Sequence, residues 1–169
     1  HTFRRMSSLQ GDLAKFGVII IGDEMLTGQV RDENLPYLCR ELDSLGAEVV
    51  EACILPDNTQ AIADHIARLS AECDYVITTG GIGPTHDDVT FEGVAQAFDI
   101  TLEQHPAMKE VLLKRHGDHP KYSKFAHLPA GALINEVEGV RYPIIRVRCV
   151  PSAILAYRAI DCEALTHPG

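Results

Sequence analysis

A chain of 169 residues, 46% hydrophobic and 23% charged, has the size and composition of one globular domain that needs neither disulfides nor a structural metal to fold. Twenty-four Asp and Glu against 15 Lys and Arg leave a net charge of −9, which argues against non-specific binding to nucleic acid or to an acidic membrane. The apolar runs, such as residues 16–21, are far too short to span a bilayer.

Five cysteines (Cys39, Cys53, Cys73, Cys149, Cys162) are odd in number, widely spaced and without a CxxC pair. That is the pattern of reduced thiols, not of a disulfide framework or a zinc site. Residues 1–10 carry basic side chains but no apolar stretch of a secretory leader. The expectation is a cytoplasmic protein with a tail over residues 1–15 and a single domain over residues 16–169.

Residues 16–21 (FGVIII) are continuously apolar and rich in β-branched side chains, which predicts a buried central strand ended by Gly22-Asp23. Leu35, Leu38, Cys39, Leu42 and Leu45 recur at helical spacing, and Gly46 is placed to stop that helix. Residues 48–55 read as a second strand and Pro56-Asp57-Asn58 as a turn. Asp57 with Gln60 reads as a capping box for a helix whose apolar face is Ile62, Ile66 and Leu69. A third strand covers residues 75–79. It opens into Gly80-Gly81-Ile82-Gly83-Pro84-Thr85-His86-Asp87-Asp88, and a helix follows with Phe91, Val94, Ala95 and Phe98 on one face. Met108, Val111 and Leu112 mark another helix near residues 105–116. Residues 133–149 alternate and read as strand, at a sheet edge because of Pro143.

Strand, helix, strand, helix, strand, loop and helix in this order imply right-handed crossovers and a parallel sheet covered on both faces. Ligands of such sheets bind beyond the carboxyl ends of the strands, so the loops after the first and third strands share one rim.

Gly80-Gly81-Ile82-Gly83 at a strand-to-helix junction can cradle an anion, because glycine lets the backbone approach and helix N–H groups favour negative charge. No Gly-Lys-Ser/Thr follows, which excludes a P-loop, and His86 stands where a dinucleotide fingerprint needs its third glycine. A tight turn without a ligand fits the loop alone equally well. The residues that follow tilt the balance. Asp87 and Asp88 stand at the helix start, where one acid can cap and the other face outward. An acid beside a phosphate cradle makes sense when a divalent cation (Mg²⁺, Mn²⁺ or Co²⁺) bridges them.

Asp23 and Glu24 repeat the theme after the first strand, so Asp23, Glu24, Asp87 and Asp88 are the candidate metal ligands. Loop acids are commonly just solvated, and only the shared rim favours a site. Asp57 follows the second strand, but a capping role already accounts for it. His86 could contact phosphate, transfer a proton or act as a loop donor. His116-Gly117-Asp118-His119 has a metal-like look, yet Gly117 and Pro120 mark a solvated helix end. Lys121, Lys124, Arg141, Arg146 and Arg148 supply late positive charge, of which one or two could reach a pyrophosphate.

Gly22-Asp23-Glu24-Met25-Leu26-Thr27-Gly28, Asp32-x-Asn34 and Thr79-Gly80-Gly81-Ile82-Gly83-Pro84-Thr85-His86-Asp87-Asp88-Val89-Thr90-Phe91-Glu92 together resemble the molybdopterin-binding (MoaB/Mog) domain family. The Gly-Pro-Thr-His-Asp-Asp-Val-Thr wording is most similar to the branch found in CinA-type proteins and at the N-terminus of eukaryotic FAD synthases. The resemblance is close over residues 16–100 and looser as far as residue 147.

It implies a three-layer α/β/α sandwich with a mostly parallel sheet, and a homo-oligomer, trimer or dimer. It implies that Thr79, Gly80, Gly81, Ile82, Gly83, Thr85 and His86 bind the phosphate of a pterin or nucleotide. Asp57 and Asp88 match acidic positions linked to molybdopterin activation in the adenylyl-transferring branch. In the CinA and FAD-synthase branch, similar domains are associated with metal-dependent hydrolysis of nucleotide pyrophosphates such as FAD or ADP-ribose, with Asp88, Asp87 and Asp57 as the catalytic candidates here.

Two departures stand out. Proteins of both those types carry a second domain, a deamidase or an adenylyltransferase, for which 169 residues leave no room. The family's Pro-Gly-x-Pro turn after the late strand is replaced by Arg148-Cys149-Val150-Pro151-Ser152, a shortened connection. Three functions follow as expectations: a metal-dependent pyrophosphohydrolase first, a molybdopterin adenylyltransferase second, and a non-catalytic pterin- or nucleotide-binding domain third.

Overall fold

The computed structural model describes residues 13–137, 142–148 and 153–157. Its parallel strands are β1 (Lys15–Ile21), β2 (Glu48–Leu55), β3 (Tyr75–Thr79) and β8 (Ala153–Tyr157). Strands β6 (Leu133–Asn135) and β7 (Ile144–Arg148) complete a six-stranded sheet in the order β2-β1-β3-β8-β7-β6, with β7 and β6 antiparallel. A separate antiparallel pair joins β4 (Leu102–Gln104) to β5 (His127–Pro129).

Strand β1 is the hydrophobic axis of the domain. Val18, Ile19, Ile20 and Ile21 are all at most 1% exposed, because the sheet is covered on both faces. Ile19 and Ile21 pack with Ile62, Ile66 and Leu69 of α3 (Thr59–Glu72), Phe91 and Val94 of α4 (Thr90–Ala97), and Met108 and Leu112 of α5 (Pro106–His116). Val18 and Ile20 pack with Leu35, Leu38 and Leu42 of α2 (Asn34–Ser44) on the other side. Each such buried aliphatic side chain contributes about 1.5–3 kcal/mol. Two cores on opposite faces make the α/β/α sandwich that the order of elements predicts.

The connections also fix where a ligand can sit. After β1 the chain passes to the α2 face, and after β3 it passes to the α4 face. These two strands are neighbours, so their outgoing loops diverge and leave a crevice at their carboxyl ends.

Three differences from the sequence reading concern the C-terminal part. The alternating stretch is two strands, β6 and β7, that pair with each other. The edge position belongs to β6, and Pro143 stands just before β7, where its missing N–H breaks no ladder bond. Strand β8, which lies beside β3 with Tyr75 opposite Ala153 and Thr79 opposite Tyr157, has no signal of its own: five apolar residues fit strand or helix equally. The shortened connection falls on residues 149–152, outside the described residues; the strands on either side pair antiparallel, Arg148 opposite Ala153. The expected tail also lies outside them as far as residue 12, and β1 begins at Lys15. Among the described residues no helix is long and apolar enough to cross a membrane.

Candidate functional site

Three loops meet beyond the carboxyl ends of β1, β2 and β3. Gly22 leads from β1 into the single helical turn α1 (Asp23–Leu26), residues 56–58 lead from β2 into α3, and residues 80–89 lead from β3 into α4. Together they border an open cleft of about 400 Å³ lined by Asp23, Glu24, Gln29, Asp57, Gly81, Thr85, Asp87 and Asp88. Five of those eight are carboxylates. Gln29 has no motif signal and is legible only in three dimensions.

Asp57 is not the helix cap. Asn58 holds that position, its Oδ1 accepting from the Ala61 N–H at 2.9 Å. Asp57 is thereby released to the cleft, half-buried. The Asp23 N–H donates to Asp57 Oδ2 at 3.1 Å, and the Asp57 N–H donates to Asp23 Oδ1 at 3.3 Å. Burial pushes the Asp57 carboxyl above the usual carboxylate range; the Asp23 N–H partly opposes this, and the charges of Glu24, Asp23 and Asp88 add to it. Among the described residues, no cationic side chain forms an ion pair with Asp23, Glu24, Asp57 or Asp88.

Asp88 is not a cap either. The N-terminus of α4, at Val89, carries no side-chain cap. Instead Asp88 Oδ2 accepts from the Thr85 N–H at 2.8 Å and from the Thr85 hydroxyl, closing residues 85–88 into a turn. Buried Thr90 anchors the other end of the loop, its hydroxyl donating to the Gly80 carbonyl at 2.9 Å and its N–H to the Gly81 carbonyl at 3.2 Å.

The glycines are explained by what approaches them. Gly80 and Gly81 have φ of 91° and 58°, a region costly to other residues. A Cβ at Gly80 would strike the Ile21 carbonyl oxygen, and one at Gly81 would strike the Thr90 hydroxyl and lie 3.2 Å from Asp57 Oδ1. A Cβ at Gly83 would lie 2.6 Å from Asp88 Oδ2. Gly80 makes room for the backbone of β1, Gly81 for the Thr90 hydroxyl with Asp57 beyond it, and Gly83 for the Asp88 carboxylate.

Five residues of the expected phosphate site do not line the cleft, Gly80 and Gly83 among them. Ile82 is 3% exposed and its side chain belongs to the α3/α4 core. Thr79 is fully buried below the rim, where its hydroxyl accepts from Asn34 Nδ2 at 3.3 Å. The His86 side chain is 93% exposed and pairs with Asp87 at 2.9 Å. The His116–His119 stretch is structural: His116 stacks on Tyr122 at 4.0 Å, and its Nε2 is 2.9 Å from the hydroxyl of Tyr142.

Asp23, Glu24, Asp87 and Asp88 share the cleft, yet among the described residues no three His, Cys, Asp or Glu side chains are grouped to hold a metal by themselves. The carboxylates form no closed protein cage. Such a donor set suits a hard divalent cation that takes one or two carboxylates from protein and its other oxygens from phosphate and water.

Comparisons with known proteins agree with this architecture. The family model described as "Probable molybdopterin binding domain" matches residues 17–157. A CinA-like protein of Anaeromyxobacter sp. (strain K) is 35% identical over 166 residues, covering 90% of this chain and 40% of that protein. A Caenorhabditis briggsae protein named "Probable FAD synthase" is 43% identical over 85 residues, covering 50% of this chain and 16% of that one. The chain thus spans less than half the length of these curated relatives. The crystal structure of CinA from Thermoplasma acidophilum, described as of unknown function, has the same fold, with a TM-score of 0.82 at 23% identity over 89% of this chain and 92% of that one. By the family model and the fold together, this chain belongs to the molybdopterin-binding domain family.

Proposed function

We propose that the domain hydrolyses a nucleotide pyrophosphate of the FAD or ADP-ribose type, with a divalent cation as cofactor. The observation that carries this reading is the release of Asp57 into the cleft. Its carboxyl is half-buried, raised in proton affinity and, among the described residues, in no ion pair with a cationic side chain. A general base works best when its pKa is moved toward the working pH, and burial moves Asp57 in that direction.

In the proposed reaction Asp57 accepts a proton from water as the water oxygen bonds to one phosphorus. The bridging P–O bond breaks, its electron pair leaves with the second monophosphate, and AMP is one product. Backbone N–H groups around Gly81 supply uncharged donors for the phosphoryl oxygens. The five carboxylates would otherwise repel a pyrophosphate; a divalent cation supplies the missing positive charge, with Asp23, Glu24, Asp87 and Asp88 as the residues that would hold it. Cys39, Cys53 and Cys73 are free thiols, in keeping with a cytoplasmic setting.

A second reading, molybdopterin adenylyl transfer, gains from the same observation, because Asp57 and Asp88 line one cleft. One assay separates the two: the protein with FAD, ADP-ribose, or ATP plus molybdopterin, each with and without Mg²⁺, Mn²⁺ or Co²⁺. AMP from FAD or ADP-ribose supports hydrolysis, and pyrophosphate formed only from ATP with the pterin supports adenylyl transfer. Ligand binding without any product would overturn both and leave a binding domain.

A further inference from the structure

The segment that carries the two acids has little of its own to hold it beyond the turn between Thr85 and Asp88. Thr85, His86 and Asp87 are exposed, and the helix it enters has no side-chain cap. Its support comes from much further along the chain. Lys124 opens a 3-10 turn, Lys124–Ala126. Its Nζ donates to the carbonyl oxygens of Asp88 at 2.6 Å, Thr85 at 3.3 Å and His86 at 3.4 Å, and pairs with Glu92 at 3.1 Å. The next residue, Phe125, is 1% exposed and stacks near Phe91 of α4 and Tyr142, so the turn that presents the ammonium is anchored in the core.

An ammonium has three protons. Four acceptors already surround this one, so Lys124 has no donor left for a phosphate. Beside it, a small cavity of about 30 Å³, bordered by Gly83, Asp88, Glu92 and Lys124, has room for about one water and none for a phosphate group. This late positive charge is therefore committed to the loop backbone and not to a pyrophosphate.

We propose that Lys124 is a positioning residue: it straps residues 85–88 into the conformation in which the Asp88 carboxylate faces the cleft. Its effect on catalysis rests on the hydrolase reading, whereas its hold on the loop does not. The carbonyls of residues 85, 86 and 88 all turn toward one ammonium, which fixes three peptide planes at once and with them the direction of the Asp88 side chain between them.

The test is Lys124→Met, which keeps most of the stem and removes the ammonium. Two quantities are read: amide hydrogen exchange over residues 84–90, and steady-state kinetics with FAD or ADP-ribose normalised to folded protein. The strap predicts exchange about tenfold faster in that segment alone, and kcat lower by on the order of tenfold with KM changed less than about threefold. Unchanged exchange would overturn it, and so would a rise in KM at constant kcat, which would make Lys124 a phosphate ligand. If the wild-type protein releases no AMP while Lys124→Met still loosens residues 84–90, the hydrolase reading fails and the strap stands. If Lys124→Met does not fold, Lys124→Gln, with one polar end left, is read on the same amides by the same criteria.

Discussion

Asp23 and Asp57 hold each other through reciprocal hydrogen bonds, each backbone N–H donating to the other's carboxylate at 3.1 and 3.3 Å. The arrangement locks the loop after β1 to the loop after β2 and keeps two acids at one cleft, with no cationic side chain paired to either among the described residues. Burial and the neighbouring carboxylates disfavour the ionised form of Asp57, so keeping these acids together costs stability.

That cost makes a prediction about Asp57→Asn. An acid whose folded pKa is raised is disfavoured as the ion, so the ionised form destabilises the native state. The cost is fully present above the folded pKa and disappears as pH falls below the ordinary carboxylate value. Asp57→Asn, whose amide oxygen can still accept from the Asp23 N–H, should melt at the same temperature as wild type or higher near pH 7. The difference should shrink toward pH 3.5, and turnover should be lost. Thermal melts across that pH range check it; a variant much less stable at pH 7 would contradict it.

Asp88 separates structure from chemistry in a different way. Its oxygen is the acceptor for Thr85, and Asn offers an equivalent acceptor, so the turn should persist. Asp88→Asn should change stability by less than about 0.5 kcal/mol while turnover falls by on the order of 100-fold. Full turnover would remove Asp88 from the mechanism.

The loop glycines should fail in two distinguishable ways. Gly80→Ala drives a Cβ into the backbone carbonyl of Ile21, which cannot swing aside; with its positive φ it should cost at least about 1–3 kcal/mol. Gly83→Ala meets only the end of the Asp88 side chain, which can move. It should cost less than about 1 kcal/mol, yet lower kcat by on the order of tenfold because Asp88 is displaced. Denaturant melts alongside AMP release measure both, and equal stability losses in the two variants would contradict the assignment.

The edge of the sheet predicts self-association. Strand β2 ends the sheet on one side, and its Val50 and Ile54 are 42% and 37% exposed. An open strand edge can pair with another chain, and a second or third copy of this chain is the proposed cover. Light scattering at micromolar concentration should give two or three times the chain mass, and a monomer mass would contradict it.

The first three strands and their helices are legible because β1 is a continuous apolar run and α2, α3 and α4 keep a clean helical period. Strand β8 is not, because a short apolar segment has no period to read, and its place beside β3 is set by long-range pairing. Within the site, the rim carrying Asp23, Glu24, Asp87 and Asp88 follows from the parallel sheet. The role of Asp57 does not: Asp57 and Asn58 are both good caps, and local sequence cannot say which one turns inward. Lys124 is equally hidden, since nothing near it in sequence announces three carbonyls some 36 to 39 residues away.

We propose that water, with Asp57 and Asp88, cleaves a pyrophosphate in this cleft. The most direct measurement is mass spectrometry of products formed from ADP-ribose or FAD in ¹⁸O-water with Mn²⁺, for wild type and Asp88→Asn. Hydrolysis in this cleft predicts AMP plus a second monophosphate, one ¹⁸O in one of the two, and almost none of either from Asp88→Asn. No AMP from wild type, or AMP formed equally by Asp88→Asn, would contradict it.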